Sequence, residues 1–321
     1  MFFPTAGIEV ALWLPPLVAF AVSCLTSMAG VSGAFLLLPF QISFLGYTHP
    51  SVSATNHLFN IVAVPSGVYR YYREGRLVWP LAGIVVVGTL PGVLIGAIVR
   101  VACLPDPKSF KLFAAAVLLL IGLRMIHDLL RKSAKDDHDA GERQFREFMR
   151  GHRQNAAPSG ATGEAPLPVV KIAYLNSGRL GFAFCGEQFD VPLVAILALS
   201  FVVGILGGAY GVGGGAIIAP FFVTFFGLPV YTVAGATLMG TFATSVAGVI
   251  FYQAIAPFYP GLSVAPDWAL GLLFGVGGMA GMYAGARSQK LVPPRAIKWM
   301  LVAIITFTAV QYVLQVCTVH S

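Results

Sequence analysis

The charged residues of this chain are confined to a few stretches, and between them lie two long runs that have none, Val10–Tyr69 and Val191–Pro266. Each run is too long for a single membrane helix of ~20 residues, and the first is too short for three vertical ones with loops. Inside each, a glycine cluster interrupts the apolar pattern: Gly30-Val31-Ser32-Gly33-Ala34 in the first, Gly211-Val212-Gly213-Gly214-Gly215 in the second. Glycine loosens a helix and frees N–H groups that lipid cannot satisfy. Such backbone survives at membrane depth only inside protein or against a watered cavity. A short apolar segment follows each cluster, Phe35–Leu45 and Ala216–Phe226. At ~1.5 Å per residue either segment reaches about half of a ~30 Å hydrocarbon core. The first run therefore reads as a helix at about 9–28, a glycine turn, a half-helix to about 45, a polar link and a helix at about 53–69. An open half-helix N-terminus near the midplane, with free N–H groups and the positive dipole end, suits an anion. The competing reading is close helix packing by small residues. It would fit one cluster alone, whereas two clusters at matching places favour a site.

Leu77–Val99 is a full span with Gly88, Gly92 and Gly96 on one face, a close-packing stripe, and Leu112–Ile126 is another. The second half repeats the first. Pro39-Phe40 and Gly46 recur as Pro220-Phe221 and Gly227, 181 residues on, and Ala54-Thr55 recurs as Ala236-Thr237 at 182. Trp79, Gly88, Gly92 and Gly96 recur as Trp268, Gly277, Gly281 and Gly285 at a constant 189. One offset held over four such residues marks a duplication. Between the halves, Arg131–Arg153 mixes both charge signs and Ala156–Pro168 is rich in Ala, Pro and Gly. Val169–Tyr174 and Leu180–Cys185 flank Asn176-Ser177-Gly178 as a β-hairpin. The chain thus divides into a first membrane repeat (1–130), a solvated insert (131–190) and a second repeat (191–321).

Composition sharpens the class. The chain has 57% hydrophobic and 10% charged residues, with a mean hydropathy of +0.80, against ~25% charged in a soluble domain. The fold class expected is an all-α polytopic membrane protein with about 8–10 segments. The net charge of +7 does not point to nucleic acid, because the basic residues cluster at segment ends and in the insert. Cys24, Cys103, Cys185 and Cys317 stand singly, which offers neither a disulfide framework nor a metal site, and no cofactor is expected. The N-terminus lacks a basic n-region and cleavage motif, so the first apolar run is expected to be retained.

Basic loops belong in the cytoplasm. The third segment of the first half ends at Arg70, Arg73 and Arg76, while its counterpart ends in the uncharged stretch Ala254–Pro266. The fourth segment of the second half ends at Arg287, Lys290, Arg295 and Lys298. The halves are therefore expected in opposite orientations, with the insert cytoplasmic, although Arg100, Lys108 and Lys111 count against this. Inverted repeats around paired broken helices are a secondary-transporter architecture.

On these residues the chain resembles the sulfite exporter TauE/SafE family. The resemblance rests on Gly211-Val212-Gly213-Gly214-Gly215 with Pro220 and its variant Gly30-Val31-Ser32-Gly33-Ala34 with Pro39, on the Ala-Thr pairs, and on the glycine-striped fourth segments. It covers nearly all of the chain except about 131–190. It implies a transporter of sulfite, organosulfonates or related sulfur anions in a bacterial cytoplasmic membrane. The first cluster departs from the pattern at Ser32 and Ala34.

Beyond Gly30, Ser32, Gly33, Ala34, Gly211, Gly213, Gly214 and Gly215, the third segments carry the substrate candidates. These are Asn56, His57 and Asn60 in the first half and Thr237 and Thr241 in the second, with Thr55, Thr244 and Ser245 nearby. Neutral donors suit an anion that must also be released. Hydroxyls within spans often bond their own helix, so each Thr alone reads as structural. Amides and imidazole in lipid need partners, which leaves His57 as interhelical glue, substrate ligand or proton-coupling group. A membrane-embedded enzyme would need a carboxylate pair or Cys–His couple that the uncharged runs lack. A cation carrier would need ligands beyond His57 and Cys24. Transport of another small anion or metabolite, proton-coupled uptake and a homodimer all stay open. The orientation has a direct check. In a cysteine-free background, cysteines near residues 72 and 292 and within 131–168 are expected to be shielded from an impermeant external thiol reagent, and one near residue 260 to react. Labelling of the insert from outside would reverse the orientation.

Overall fold

The computed structural model describes residues 1–28, 31–73, 77–131, 171–176, 178–184, 187–228 and 230–288, with a few positions between 299 and 310. Among the described residues the main helices are α1 Leu14–Ser27, α2 Ala34–Ser43, α3 Ser51–Arg73, α4 Trp79–Ala102, α5 Pro107–Arg131, α6 Leu193–Tyr210, α7 Gly214–Phe225, α8 Val230–Ile255 and α9 Trp268–Ser288. Prolines enter the first turns of α1 and α4, where the lost N–H has no intrahelical partner. Four of the described helices are long and apolar enough to cross a membrane: α4, α6, a stretch Thr232–Phe258 that includes most of α8, and α9. α1 and α2 are shorter apolar helices. This is a polytopic, mostly helical membrane protein. Its polarity is reversed relative to a soluble domain. Val87, Val194 and Ile250 are 65, 71 and 64% exposed, while Asn56, His57, Asn60, Thr241 and Ser245 are all at 0%. Exposed aromatic rings mark both ends, Trp13 and Trp268 at one and Tyr72 and Trp79 at the other.

The glycine stripes govern the packing. Along α4, Gly88, Gly92 and Gly96 lie against Leu197, Phe201 and Ile205 of α6, in that order, so the two helices run parallel. Along α9, Gly277, Gly281 and Gly285 lie against Pro16, Phe20 and Cys24 of α1, again parallel. A Cβ at Gly92 would stand 2.8 Å from the Ile205 nitrogen, and one at Gly281 2.9 Å from the Phe20 carbonyl carbon. The backbones touch there. Each half thus lends its first helix to the other half's fourth, and the partner residues keep the 181-residue offset seen between the prolines.

The third helices complete the exchange. α3 runs parallel to α9, with Leu58 on Gly271, Val62 on Gly275 and Gly67 beside Met282. It runs antiparallel to α8, with His57 at Gly248 and Tyr71 at Gly235. α4 follows α8 in the same direction, from Val85 at Gly240 to Val101 near Tyr252. Consequently α1, α3 and α9 point one way, and α4, α6 and α8 the other.

The two ends differ. At one, the short strands β1 (Phe2–Phe3) and β2 (Ile8–Glu9) pair as a hairpin near the starts of α3 and α9. There the Ser263 hydroxyl donates to Thr5 O at 2.7 Å, and its oxygen lies 3.0 Å from Ser51 Oγ, whose hydroxyl can donate to it. At the other end lie Arg70, Arg73, Arg287 and the start of α6. The insert also attaches at this end, through a sheet of β3 (Lys171–Leu175), β4 (Arg179–Phe184) and β5 (Glu187–Pro192), antiparallel in that order. The expected hairpin is therefore extended by a third strand, which feeds directly into α6. Its alternation of Phe189 and Val191 with polar neighbours is a legible strand signal, and Phe189 stacks on Phe182 at 5.4 Å between ring centroids. The charged stretch and the Ala/Pro/Gly linker lie outside the described residues, as does the Lys290–Lys298 stretch.

One cation counted against the orientation needs correction. Arg100 is not a loop charge but 0% exposed, tucked under the last turn of α4. Of the three cations that oppose the orientation, only Lys108 and Lys111 are accessible.

The backbone contact at the stripes is testable against a glycine that touches nothing. Gly92→Leu is expected to cost at least about 1–3 kcal/mol through overpacking and to lower the yield of monodisperse protein. Gly83, with no heavy atom within 4 Å of its missing Cβ, should accept Ala with a change of under about 1 kcal/mol. Thermal denaturation and size-exclusion chromatography read both.

Candidate functional site

Both glycine clusters lie inside the bundle. α6 ends at Gly211, whose φ of +84° is left-handed, and whose N–H returns to Gly207 O at 2.9 Å together with that of Val212 at 3.0 Å. Gly213 is also at positive φ, +73°, in a conformation that L side chains rarely adopt. Between these two glycines the chain reverses. Gly213 lies against Gly207, Gly214 beside Gly204 and Thr89, and α7 returns along α6. In the first half Val31 N–H bonds Thr26 O at 3.1 Å, and α2 then begins at Ala34. Gly30 lies outside the described residues.

One side chain joins the two turns. The Asn60 amide donates to Val212 O at 3.1 Å, and its oxygen accepts the Ser32 hydroxyl in a short hydrogen bond. The Tyr210 hydroxyl adds a bond to Phe35 O at 3.3 Å, with the two rings stacked at 6.1 Å. The starts of α2 and α7 are thereby held together around α3.

The two N-termini are not equivalent, which corrects the expectation of two open ones. Ser32 Oγ accepts the Ala34 N–H at 3.2 Å, Ser32 O accepts Phe35 N–H at 3.3 Å, and Gly33 O accepts Leu36 N–H at 3.1 Å. The Ser32 hydroxyl, one residue before the cap position Gly33, thus holds the first N–H of α2, close to the role favoured for serine at a helix start. At α7 the cap position is Gly213, which makes no side-chain bond, and the first N–H groups of a helix have no partner within it.

The glycines themselves are tightly enclosed. A Cβ at Gly33 would come 3.2 Å from Phe59 and also meet Ser23 Oγ, one at Gly214 would stand 2.5 Å from Thr89 Cγ2, and one at Gly215 would run into the Thr237 carbonyl. Packing accounts for their lack of side chains.

The remaining candidates separate in the same way. The Thr237 hydroxyl donates to Val233 O at 3.1 Å and the Thr241 hydroxyl to Thr237 O at 3.0 Å, so both protons are spent on their own helix. His57 Nδ1 lies 3.3 Å from Ser245 Oγ, its ring is 6.0 Å from that of Tyr252, and its Nε2 has no partner among the described residues. Asn56 is fully buried, one turn from Asn60 on the same face of α3, and neither of its amide atoms is hydrogen-bonded to a described residue. An unpartnered buried amide costs about 1–3 kcal/mol, which makes it the candidate most in need of a ligand.

Two buried polar residues escape a reading based on uncharged runs. Asp267, one residue beyond the second run and 3% exposed, accepts Leu270 N–H at 3.0 Å and Ala6 N–H at 3.2 Å. Its place directly before the apolar start of α9 is an N-cap signal. Gln41, buried within α2, has both amide atoms unbonded among the described residues. A single amide in an apolar decapeptide offers no pattern by which to find it.

The family model described as Sulfite exporter TauE/SafE matches residues 16–312. No curated protein and no solved structure matches the chain.

The two asparagines are expected to part company in stability. Asn60→Ala breaks the link between the turns and should lower the melting temperature, at a cost of about 1–3 kcal/mol. Asn56→Leu removes an unbonded amide and should leave it unchanged or raised. Equal losses from both would show that Asn56 is bonded within the protein.

Proposed function

Since the chain belongs to the sulfite exporter TauE/SafE family, a family of membrane transporters of sulfur anions, we propose that it carries a small sulfur oxyanion or organosulfonate out of the cytoplasm, held where the two half-helices begin. The observation that carries this reading is the Asn60 clasp: it brings both turns to one place, beside the unbonded Asn56 amide and the uncapped start of α7. Amide donors and helix N–H groups stabilise an anion without a permanent counter-charge, so the anion can also leave. In this reading Asn56, the Gly214 and Gly215 N–H groups and His57 Nε2 face the substrate. Ser32 and Asn60 position the turns, and Gly33, Gly211 and Thr241 shape the enclosure.

We take the halves as inverted-topology repeats, supported by the opposite directions of α1 and α6, α3 and α8, and α4 and α9. The end carrying Arg70, Arg73, Arg287 and the insert is then cytoplasmic by the positive-inside rule, in a bacterial inner membrane.

The driving force follows from which groups are absent among the described residues of the site. Proton-coupled carriers commonly relay through an intramembrane carboxylate or His. Asp267 is the buried carboxylate among those residues, and its oxygens hold backbone N–H groups at the hairpin end. An anion leaving through an inside-negative membrane gains about 2.3 kcal/mol per charge per 100 mV, roughly a fortyfold concentration ratio for a monoanion. Export then needs no coupling ion.

In proteoliposomes an imposed potential is expected to drive radiolabelled sulfite flux at equal pH on both sides. His57→Gln should retain that flux, and Asn56→Leu should reduce it roughly tenfold or more. Flux that ignores the potential, follows a pH gradient and vanishes in His57→Gln would replace this reading with proton-coupled uptake through His57.

A further inference from the structure

We propose that Arg100 forms a second anion site, at the hairpin end of the bundle, which receives the sulfur anion as it leaves the midplane. The proposal rests on the transport reading above.

Arg100 sits in the last turn of α4 with no exposed surface. Its Nη1 donates to Leu104 O and its Nη2 to Thr48 O at 3.1 Å, and the guanidinium carbon lies 3.7 Å from the centre of the Phe110 ring. Among the described residues Nε has no partner and no carboxylate pairs with the guanidinium. The two oxygens of Asp267 are already committed to Ala6 and Leu270. Two carbonyls and an aromatic face can hold a donor in place but do not neutralise a charge. A neutral amide could serve the same carbonyls without the penalty of several kcal/mol for burying an ion. A charge kept in such a place implies a counter-charge that comes and goes.

The surroundings connect this charge to the midplane. The buried Tyr252 packs in one cluster with Ala97 and Val101, on the stretch of α4 that carries Arg100. Tyr252 donates to Gly208 O at 3.1 Å, in the last turn of α6 before the reversal, and its ring faces His57. A single side chain therefore separates Arg100 from the groups around the clasp. Chemically, the guanidinium's planar fork of donors matches a sulfite or sulfonate group bearing several oxygens. Sharing those donors with Thr48 and Leu104 limits how tightly the anion is held. In the orientation argued above this is the outer end, where an exported anion would be released.

Sulfite flux into proteoliposomes, analysed as KM and maximal rate, tests the role of the charge. Arg100→Gln is expected to raise KM for sulfite roughly tenfold or more, with a smaller effect on maximal rate, and Arg100→Lys should recover most of the loss. A folded Arg100→Gln protein with wild-type KM would overturn the proposal, as would a Lys variant no better than Gln. A crystal of the unaltered protein grown with selenite avoids dependence on the variants. An anomalous selenium peak within hydrogen-bonding distance of the Arg100 guanidinium is expected, and selenite bound elsewhere with none at Arg100 would refute the site. If the wild type moves no sulfite, the transport reading fails, and the selenium position still decides whether Arg100 binds an oxyanion.

Discussion

Backbone that leaves the helix inside a membrane must find its hydrogen-bond partners within the protein, and most of this architecture follows from that requirement. Each glycine turn is enclosed by neighbouring helices: Gly33 by Ser23 and Phe59, Gly211 by Ser53, Gly214 by Thr89 and Gly215 by Thr237. Part of that cover comes from exchange. α1 packs along α9 and α6 along α4, backbone against backbone at the glycine stripes, while α3 and α8 run between them. Close approach of this kind gives dispersion contacts and short backbone distances rather than hydrophobic burial, the usual basis of helix association in lipid. Once the exchange is made, the two turns meet at the face of α3 that carries Asn60, whose amide reaches both.

The interior chemistry divides into closed and open groups. Ser32 closes the start of α2, and the hydroxyls of Thr237, Thr241 and Thr244 close on carbonyls of their own helix. The Asn56 amide and His57 Nε2 have no partner among the described residues, and Gly213 leaves the start of α7 without a side-chain cap. The two glycine turns are thus alike in being followed by a short helix and different in their chemistry. Gly213 gives α7 no side-chain cap, whereas Ser32 holds the first N–H of α2 in the first half.

The positive charge is distributed with a similar asymmetry. Arg70, Arg73 and Arg287 stand at one end, and at the other Arg100 is drawn inside, beneath Phe110 and the Thr48 carbonyl. Counting cations by sequence position treats Arg100 as a loop charge. Its burial removes it from that count and turns it from a topological signal into a chemical one.

By itself the sequence marked the main helices and the correspondence between the halves. It did not mark the N-terminal strand pair, which stands where a helix from about residue 9 is expected, nor the third strand of the insert. Uncharged runs, glycine clusters and constant offsets depend on local backbone preference and on the cost of charge in lipid, both of which are written along the chain. The half-helices, the hydroxyls that bond their own helix and the strand pair around Asn176 and Gly178 were legible for that reason. Only the tertiary structure decided which polar groups remain open. Ser32 and Asn60 are far apart in sequence and carry no mutual signal, yet they share a hydrogen bond, and the Asn60 amide joins Ser32 to the other turn at Val212. The glycines that looked like room for a substrate are filled by Thr89, Phe59 and the Thr237 carbonyl. Asp267 and Arg100 stand just beyond the apolar runs, and whether such a residue faces water or protein depends on what folds over it. Satisfaction of a polar group is a property of three-dimensional neighbours, and one-dimensional spacing does not contain it.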